Sequence, residues 1–242
     1  MYRVQKVLSI LGLTSRRECE KLIIEEKIKI NNKLASLGSL VNLNDKITIN
    51  GKSYIVNKKL LNITLQVIAY NKKIGEIVTY KDPQKRRTVF ESLPKIKTKW
   101  INIGRLDVNS SGLILFTNNG DLAHKLMHPS SNILRTYHVE LNKNISQQIV
   151  QRTKKGVLIG NHQTGKFFKI KKISSKTNIL YEVILKTGKY REVRRIFNSV
   201  GRKVKKLKRT QYSIITLDNL KSGQFRKLDK DEIKNIVNLY LD

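Results

Sequence analysis

The chain has few of the residues on which several protein classes depend. Its single cysteine, Cys19, excludes an internal disulfide and a structural zinc site built on cysteines. Its 13 glycines and 3 prolines are too few for a collagen-like or linker protein. No apolar run approaches the ~20 residues that a membrane-spanning helix needs, and Met1 does not open a secretory signal. These features predict a globular cytoplasmic protein of one or two domains.

Acidic residues are also scarce. The 242 residues include 18 Asp and Glu against 49 Lys and Arg, which gives a formal net charge of +31. The positive side chains repel one another, which favours a polyanionic partner, either a membrane surface or a nucleic acid. No basic amphipathic helix with a wide apolar face is evident, so the composition favours nucleic acid.

The first part of the chain has the pattern of a small separate domain, predicted over residues 1–60. Apolar residues recur at helical spacing over Val4–Leu11 and again over Cys19–Ile23. Alternating apolar residues over Ile28–Ile49 predict short strands, and Asn50-Gly51 predicts a hairpin turn. The predicted order is helix, helix, then strands.

Basic residues gather on or before the two predicted helices. They are Arg3, Lys6, Arg16, Arg17 and Lys21. A cluster of this kind is either a solvated helix face or a set of phosphate contacts. Because the start of the cluster is nearly free of acids, we favour RNA contact.

Residues 61–242 are predicted to form a larger α+β domain with a mixed or antiparallel sheet, entered through a linker over residues 57–64. Short apolar or alternating runs predict strands at 67–70, 101–103, 113–117, 139–141 and 179–185. Helical patterns predict helices at 121–127 and 191–199 and a last helix capped by Asp229.

Asp107 is the acidic residue whose surroundings best fit a reaction. It follows a predicted strand, adjoins Arg105 across one residue, and precedes small hydroxylated residues and Gly112. A carboxylate held near a cation stays ionised and can serve as a nucleophile. The alternative is a loop aspartate that hydrogen-bonds its own turn. A two-metal site is disfavoured because no second acid lies within ten positions.

The segment Leu185–Tyr212 contains 11 basic residues and one acid. Its apolar stripe leaves Arg194 and Arg195 at the flank, where one arginine can reach a carboxylate and the other a phosphate. The candidate RNA-binding residues of this domain are Arg105, Arg191, Arg195, Lys205, Lys206, Lys208 and Arg209. Tyr137, on a predicted strand, is either a core tyrosine or a ring that stacks on a flipped base.

Several separated motifs resemble the RsuA/RluB group of pseudouridine synthases. They are Gly104-Arg105-Leu106-Asp107, Gly112–Thr117, Asn118–Ala123, His128-Pro129-Ser130, Tyr137 in its strand, and Gly188–Phe197. The first sixty residues resemble the small RNA-binding domain of ribosomal-protein-four type that this family carries. Pro83–Phe90 and Leu93-Pro94 are closer to the RluB branch than to the RsuA branch.

The resemblance implies conversion of uridine to pseudouridine in folded ribosomal RNA, by base flipping and without a cofactor or metal. By position it implies that Asp107 is the nucleophile, that Tyr137 packs on the target base and that Arg194 pairs with the aspartate. The favoured target is large-subunit ribosomal RNA or its precursor particle, bound by a monomer with no membrane partner. The alternatives are small-subunit or transfer RNA as the target, or a non-catalytic RNA-binding ribosome-assembly factor.

Four positions in three segments depart from the family pattern. Ser110 stands where threonine is common, Asn119 replaces a frequent aspartate, and Lys85 and Arg86 occupy a loop that often contains glycine. None of these changes removes a group with an implied catalytic role.

Overall fold

The computed structural model describes residues 1–58, 63–173, 175 and 177–240, and the chain divides into two compact units. The first unit contains Met1–Gln66 and Pro94–Trp100, and the second contains Val67–Leu93 and Ile101–Asp242. Within the described ranges, no helix is long and apolar enough to cross a membrane.

The predicted domain division differs from these units in one segment. The predicted boundary between residues 60 and 61 lies outside the described residues, and Pro94–Trp100 belongs to the first unit. A Cβ atom on Gly12 would lie 3.5 Å from the backbone of Thr98, so this segment packs closely against the turn after the first helix. Nothing in its sequence pattern indicates this long-range packing.

The first unit has the predicted helix-helix-strand order. Its elements are β1 (Tyr2–Arg3), α1 (Val4–Ile10), α2 (Arg16–Ile24), β2 (Ile28–Ile30), β3 (Lys33–Leu34), β4 (Leu40–Val41), β5 (Lys46–Ile49) and β6 (Lys52–Ile55). Four strands form a sheet in the order β3-β2-β5-β6, and β1 pairs with β4. The predicted turn is confirmed, since Asn50 and Gly51 have φ values of 47° and 75° between β5 and β6.

The second unit is built around a nine-stranded mixed sheet, which confirms the predicted fold class. The strands of this sheet are β7 (Val67–Lys72), β8 (Ile101–Ile103), β9 (Ser111–Thr117), β10 (Arg135–Leu141), β13 (Lys169–Ile173), β14 (Leu180–Leu185), β15 (Val204–Tyr212), β16 (Ile215–Thr216) and β17 (Phe225–Lys227), while β11 (Val157–Leu158) and β12 (Thr164–Gly165) pair as a separate two-stranded sheet. The main order is β13-β14-β10-β15-β9-β7-β17. Strands β9 and β15 run parallel, while the other neighbours along this order are antiparallel.

Four helices accompany this sheet. They are α3 (Gly120–Met127), α4 (Gln147–Lys155), α5 (Glu192–Ser199) and α6 (Lys230–Tyr240), with short 3-10 helices at Val89–Ser92 and Pro129–Ser131. Helix α4 was not predicted because its sequence is mostly polar, with Ile149 and Val150 as its apolar contacts to the core. Asn119 caps α3 by accepting hydrogen bonds from two backbone amides, so the amide replaces the family's frequent aspartate in this role.

Strand pairing places the candidate residues of the second unit side by side. Tyr137 of β10 lies opposite Arg209 of β15, and Arg209 lies opposite Gly112 of β9. Asp107 lies in the connection between β8 and β9. Gly112 has φ 101°, and a Cβ atom there would lie 2.7 Å from the backbone nitrogen of Arg209. Glycine therefore permits the close approach of the two parallel strands.

We expect Gly112→Ala to destabilise the second unit by at least ~2 kcal/mol, because the methyl group adds a backbone clash to an unfavourable φ. Urea unfolding followed by circular dichroism measures this change. Gly201→Ala is the matched control, since Gly201 also has a positive φ of 70° but a Cβ atom there meets nothing within 4 Å. Equal losses in the two variants would contradict the role of the strand approach.

Candidate active site

A cleft of about 990 Å³ in the second unit contains the main candidate residues. The β8–β9 connection, β10, β15 and the loop before α5 all contribute to its wall, and Asp107 and Tyr137 both line it. The cationic side chains of the lining outnumber Asp82, Asp107 and Glu192; they are Lys81, Arg86, Arg105, Arg135, Lys186, Lys189, Arg191 and Arg209. Such a cleft suits a polyanionic ligand.

Several hydrogen bonds fix the loop that carries Asp107. The Ser110 amide donates to the Asp107 carbonyl at 3.0 Å and closes a turn. The Gly75 amide donates to the Val108 carbonyl at 2.8 Å, and the Lys72 Nζ donates to the Ser110 carbonyl at 2.8 Å. The half-buried Asp107 is thus presented by a backbone that neighbouring elements hold in place.

Lys72 is a buried cation beside this loop that the sequence reasoning missed. Its side chain is fully buried at the end of β7, and its Nζ also donates to the Lys73 carbonyl at 2.9 Å. Burial lowers the pKa of Lys72 to about 8, while the charges of Glu76 and Asp107 oppose that shift. The signal that could have found it is a lysine at the end of a strand that is buried throughout. A buried ammonium needs hydrogen-bond acceptors and a nearby negative charge, so such a lysine indicates an acidic group close by.

The predicted close ion pair between Arg194 and Asp107 is not formed. The Arg194 Nη2 donates to the Asn109 carbonyl at 2.8 Å, and the Nη1 donates to the Val204 carbonyl at 3.1 Å. Burial lowers the pKa of Arg194, and the Asp107 charge acts in the opposite direction. The side chain reaches the Asp107 loop through the backbone of Asn109, so the structure makes it a support of the loop.

Two tyrosines form an aromatic part of the cleft lining. Tyr137 is 8% exposed and lies between Val183 and Arg209 in the sheet. Tyr212 is more deeply buried, and its hydroxyl donates to the Leu126 carbonyl at 2.6 Å while accepting from the Arg135 Nη2 at 3.3 Å. Burial raises the pKa of Tyr212. A planar base entering the cleft can meet an aromatic face here.

The loop containing Lys85 closes another side of the cleft. The Asp82 carboxylate and the Arg86 guanidinium form an ion pair of 2.8 Å within it, and Tyr80 stacks on Phe90 with a ring separation of 3.7 Å. Lys85 has φ 54°, in the left-handed region that glycine adopts freely. This conformation explains why the corresponding family loop often contains glycine.

Two predicted RNA-binding residues have guanidinium groups that bond to other segments of the protein. The Arg195 Nε, Nη1 and Nη2 all donate to protein acceptors, including the carbonyls of Ile159 and Gly160 at 2.6 and 3.0 Å. Arg209 is 2% exposed, and its Nε donates to the Leu113 carbonyl at 2.6 Å. Both arginines therefore spend hydrogen-bond donors on the protein itself, and RNA contact by Arg195 and Arg209 stays a prediction.

The remaining basic candidates of this unit lie in two places. Arg105 and Arg191 are exposed and line the cleft. Lys206 and Lys208 are exposed opposite Glu140 and His138, on the sheet face that does not carry Tyr137. The Lys206 Nζ also pairs with the Glu140 carboxylate at 3.1 Å. Lys205 is exposed at the bulge beside them. The basic strand therefore presents its lysines away from the cleft.

The basic cluster of the first unit is mostly at the surface. Arg3, Arg16, Arg17 and Lys21 are exposed, and Lys6 is half-buried. The Lys21 Nζ lies 3.7 Å from the Glu25 carboxylate, in an exposed pair of little energetic consequence.

Comparison with known families identifies the chain. The RNA pseudouridylate synthase family matches residues 66–199, and the S4 domain matches residues 3–47. The chain belongs to the RNA pseudouridylate synthase family. Its cleft-lining Asp107 and Tyr137 both lie within the region matched to that family.

Curated relatives are similar in sequence to nearly the whole chain. The ribosomal large subunit pseudouridine synthase B of Buchnera aphidicola is 42% identical over 96% of this chain and 95% of the relative. Those of Pseudomonas aeruginosa and Xylella fastidiosa are 38% and 39% identical over 96% of this chain, which spans only 60% and 50% of their lengths. A crystal structure of a pseudouridylate synthase shares the fold, with a TM-score of 0.67 and 24% identity over 98% of this chain and 100% of that one.

No group of three or more His, Cys, Asp or Glu side chains suited to a metal ion occurs among the residues that the structure describes.

The lowered pKa of Lys72 predicts a pH-dependent stability. Between its folded pKa of about 8 and the ordinary value of 10.5, the unfolded chain binds more protons than the folded chain. The free energy of unfolding therefore gains a contribution on the order of 3 kcal/mol as pH rises through this window. We expect Lys72→Met to lose that contribution in urea unfolding measured from pH 7.5 to 10.5. Lys73→Met, at an exposed neighbour, should keep it. Identical pH dependence in wild type and Lys72→Met would contradict the assignment.

Proposed function

We propose that the chain isomerises uridine to pseudouridine in large-subunit ribosomal RNA. The observation that carries the proposal is the placement of Asp107 on a fixed loop in the same basic cleft as Tyr137. The names of the curated relatives support the target, since the three described above are ribosomal large subunit synthases. The reaction proceeds in the cytoplasm and uses the protein as a monomer.

The residues of the cleft account for the steps that this isomerisation requires. The target uridine leaves the RNA stack and enters the cleft, where Tyr137 packs on the base. The Asp107 carboxylate bonds to C1′ as the C1′–N1 bond breaks, and the electron pair of that bond leaves with the uracil. The base rotates, and C5 bonds to C1′ while the C1′–carboxylate bond breaks and regenerates Asp107. The C5 proton is then released and N1 gains a proton. No oxidation or phosphoryl transfer occurs, so the chain's own side chains suffice.

The positive charges beside Asp107 have a defined role in this reaction. Lys72 and Arg194 interact electrostatically with Asp107 while bonding to carbonyls of its loop. Their charges attract the carboxylate, and their hydrogen bonds go to the loop backbone, which leaves the carboxylate oxygens available to the sugar. Arg194 is thus a positioning residue that acts through Asn109.

Basic surfaces hold the RNA while one nucleotide occupies the cleft. Arg105 and Arg191, at the cleft, contact phosphates near the flipped nucleotide. Arg3, Lys6, Arg16, Arg17 and Lys21 of the S4 domain contact phosphates elsewhere on the RNA, and the exposed lysines Lys205, Lys206 and Lys208 add a weaker, non-specific attraction. This division leaves the chemistry to the second unit and much of the affinity to the first.

Asp107→Asn tests the chemical role directly. The amide is nearly isosteric with the carboxylate but cannot act as a nucleophile, so we expect turnover to fall by about 10³-fold or more. The measurement is tritium release from ribosomal RNA labelled at C5 of uridine. Asp121→Asn, at an exposed acid of α3, is the control variant and should retain activity. Turnover of Asp107→Asn within tenfold of wild type would exclude Asp107 as the nucleophile.

The role of the S4 domain is tested by the salt dependence of RNA binding. Replacing Arg3, Arg17 and Lys21 together by glutamine should reduce the slope of log K against log salt by about 2 to 3, because each lost phosphate contact removes about 0.7 to 0.9. The triple change at the exposed strand lysines Lys29, Lys33 and Lys52 removes the same charge and should change the slope less. An equal slope change in both triple variants would show a general charge effect instead of specific contacts.

A further inference from the structure

Arg209 is a buried cation in the cleft that the reaction as described above does not use. It lies directly opposite Tyr137 in the sheet and lines the same cleft as Asp107. Its Nε donates to the Leu113 carbonyl, and its guanidinium lies 5.0 Å from the centre of the Tyr212 ring. These contacts fix the side chain from β9 and from its own strand.

One end of this guanidinium has no partner in the described part of the protein. The Arg209 Nη2 is buried without a hydrogen bond, and no carboxylate of the described residues forms an ion pair with the side chain. A buried charged donor without an acceptor is unfavourable, so such a group commonly marks a place where a ligand supplies the acceptor.

A second unpartnered polar atom lies in the same cleft lining. The Ser110 Oγ is also buried without a hydrogen bond in the described structure, and Ser110 immediately precedes the strand that pairs with Arg209. The two groups have different capacities: a guanidinium only donates, whereas a hydroxyl donates or accepts. Together they can bind a ligand edge that carries a hydrogen-bond acceptor, for the guanidinium, next to an N–H donor, for the hydroxyl.

Arg135 and Arg194, which are buried and half-buried near the cleft, have both terminal nitrogens bonded, although the Nε of Arg194 is also buried without a hydrogen bond in the described structure. The Arg135 Nη1 donates to the carbonyls of Ile133 and Lys186, and its Nη2 donates to the Tyr212 hydroxyl. Both terminal nitrogens of Arg194 donate to carbonyls. Among the described residues, Arg209 is therefore the arginine of this cleft whose terminal nitrogen is buried without a hydrogen bond.

We propose that Arg209 and Ser110 recognise the edge of the flipped uracil, Arg209 by donating to a ring carbonyl and Ser110 by accepting from the neighbouring N3–H. This inference rests on the proposed isomerase function. Cytosine presents an amino group and an unprotonated N3 in place of O4 and N3–H, so the donor-only guanidinium favours uracil.

The positive charge of Arg209 also suits the chemical step. When the C1′–N1 bond breaks, its electron pair leaves with the uracil and spreads onto both ring carbonyl oxygens. A charge-assisted hydrogen bond to one of these oxygens strengthens at that moment. The negative charge is consumed when C5 donates this electron pair to C1′, and loss of the C5 proton with protonation of N1 then gives neutral pseudouridine.

The test pairs enzyme variants with substrate analogues. RNA carries uridine, 2-thiouridine or 4-thiouridine at the target position, and single-turnover conversion is followed by nucleoside chromatography. We expect sulfur at the contacted carbonyl to slow the wild-type enzyme about tenfold, because sulfur is the weaker acceptor. Arg209→Met should slow uridine conversion about a hundredfold and react equally with the oxygen and sulfur forms. A merely structural role would leave the sulfur effect unchanged in the variant.

Two further variants keep the test decisive if Arg209→Met folds poorly. Arg209→Lys keeps the charge and should retain part of the discrimination, while Ser110→Ala removes one hydroxyl and should slow uridine conversion about tenfold. Lys171→Met, which removes an exposed charge from the same sheet, is the control and should behave as wild type.

The outcomes separate this inference from the proposed function. A wild-type enzyme that leaves uridine unconverted overturns the proposed function and this inference with it. An active wild-type enzyme whose sulfur effect is the same in Arg209→Met and Arg209→Lys overturns the inference alone. So does a wild-type enzyme that neither sulfur substitution slows.

Discussion

The backbone of the Asp107 loop depends on the hydrogen bond from the buried ammonium of Lys72 to the Ser110 carbonyl. Burying an ammonium is costly, and this cost is offset by carbonyl acceptors and by the charges of Glu76 and Asp107. The Arg194 guanidinium donates to the same loop at the Asn109 carbonyl. The carboxylate consequently interacts electrostatically with both cations without forming an ion pair with either of them.

The rest of the second unit serves this arrangement through strand pairing. The parallel approach of β9 and β15, permitted by Gly112, brings Arg209 next to the end of the Asp107 loop. Pairing of β15 with β10 then places Tyr137 beside Arg209. An acid, an aromatic ring and an unpartnered guanidinium thus meet in one cleft although they lie up to a hundred residues apart in sequence.

Local patterns in the sequence were enough to predict most of the elements. The helical spacing of α1 and α2, the Asn50-Gly51 turn and the apolar run of β9 each depend on neighbouring residues only, and the structure contains all of them. Helix α4 was not predicted because it buries few apolar residues, so the helical periodicity of its apolar residues is weak. The place of segment 94–100 in the first unit was not predicted because its packing depends on residues far away in sequence.

The candidate site was predictable only in part. A short side chain such as Asp107 stays close to its backbone, so the sequence indicated where it would lie. Long basic side chains reach far from theirs, and the ends of Arg194, Arg195 and Arg209 all bond to backbone carbonyls of other segments. Bulges in the pairing of β10 with β15 also change which residues of the basic strand face the cleft, and simple alternation does not predict their positions.

A structure of the protein bound to ribosomal RNA carrying 5-fluorouridine at the target position tests the central claim most directly. The account predicts that the nucleotide is flipped into the cleft, with its ring on Tyr137 and its sugar carbon C1′ next to the Asp107 carboxylate. It also predicts that the bonds from Lys72 and Arg194 to the loop persist. A nucleotide bound outside the cleft, or a loop released from both cations with Asp107 turned away from the sugar, would contradict the account.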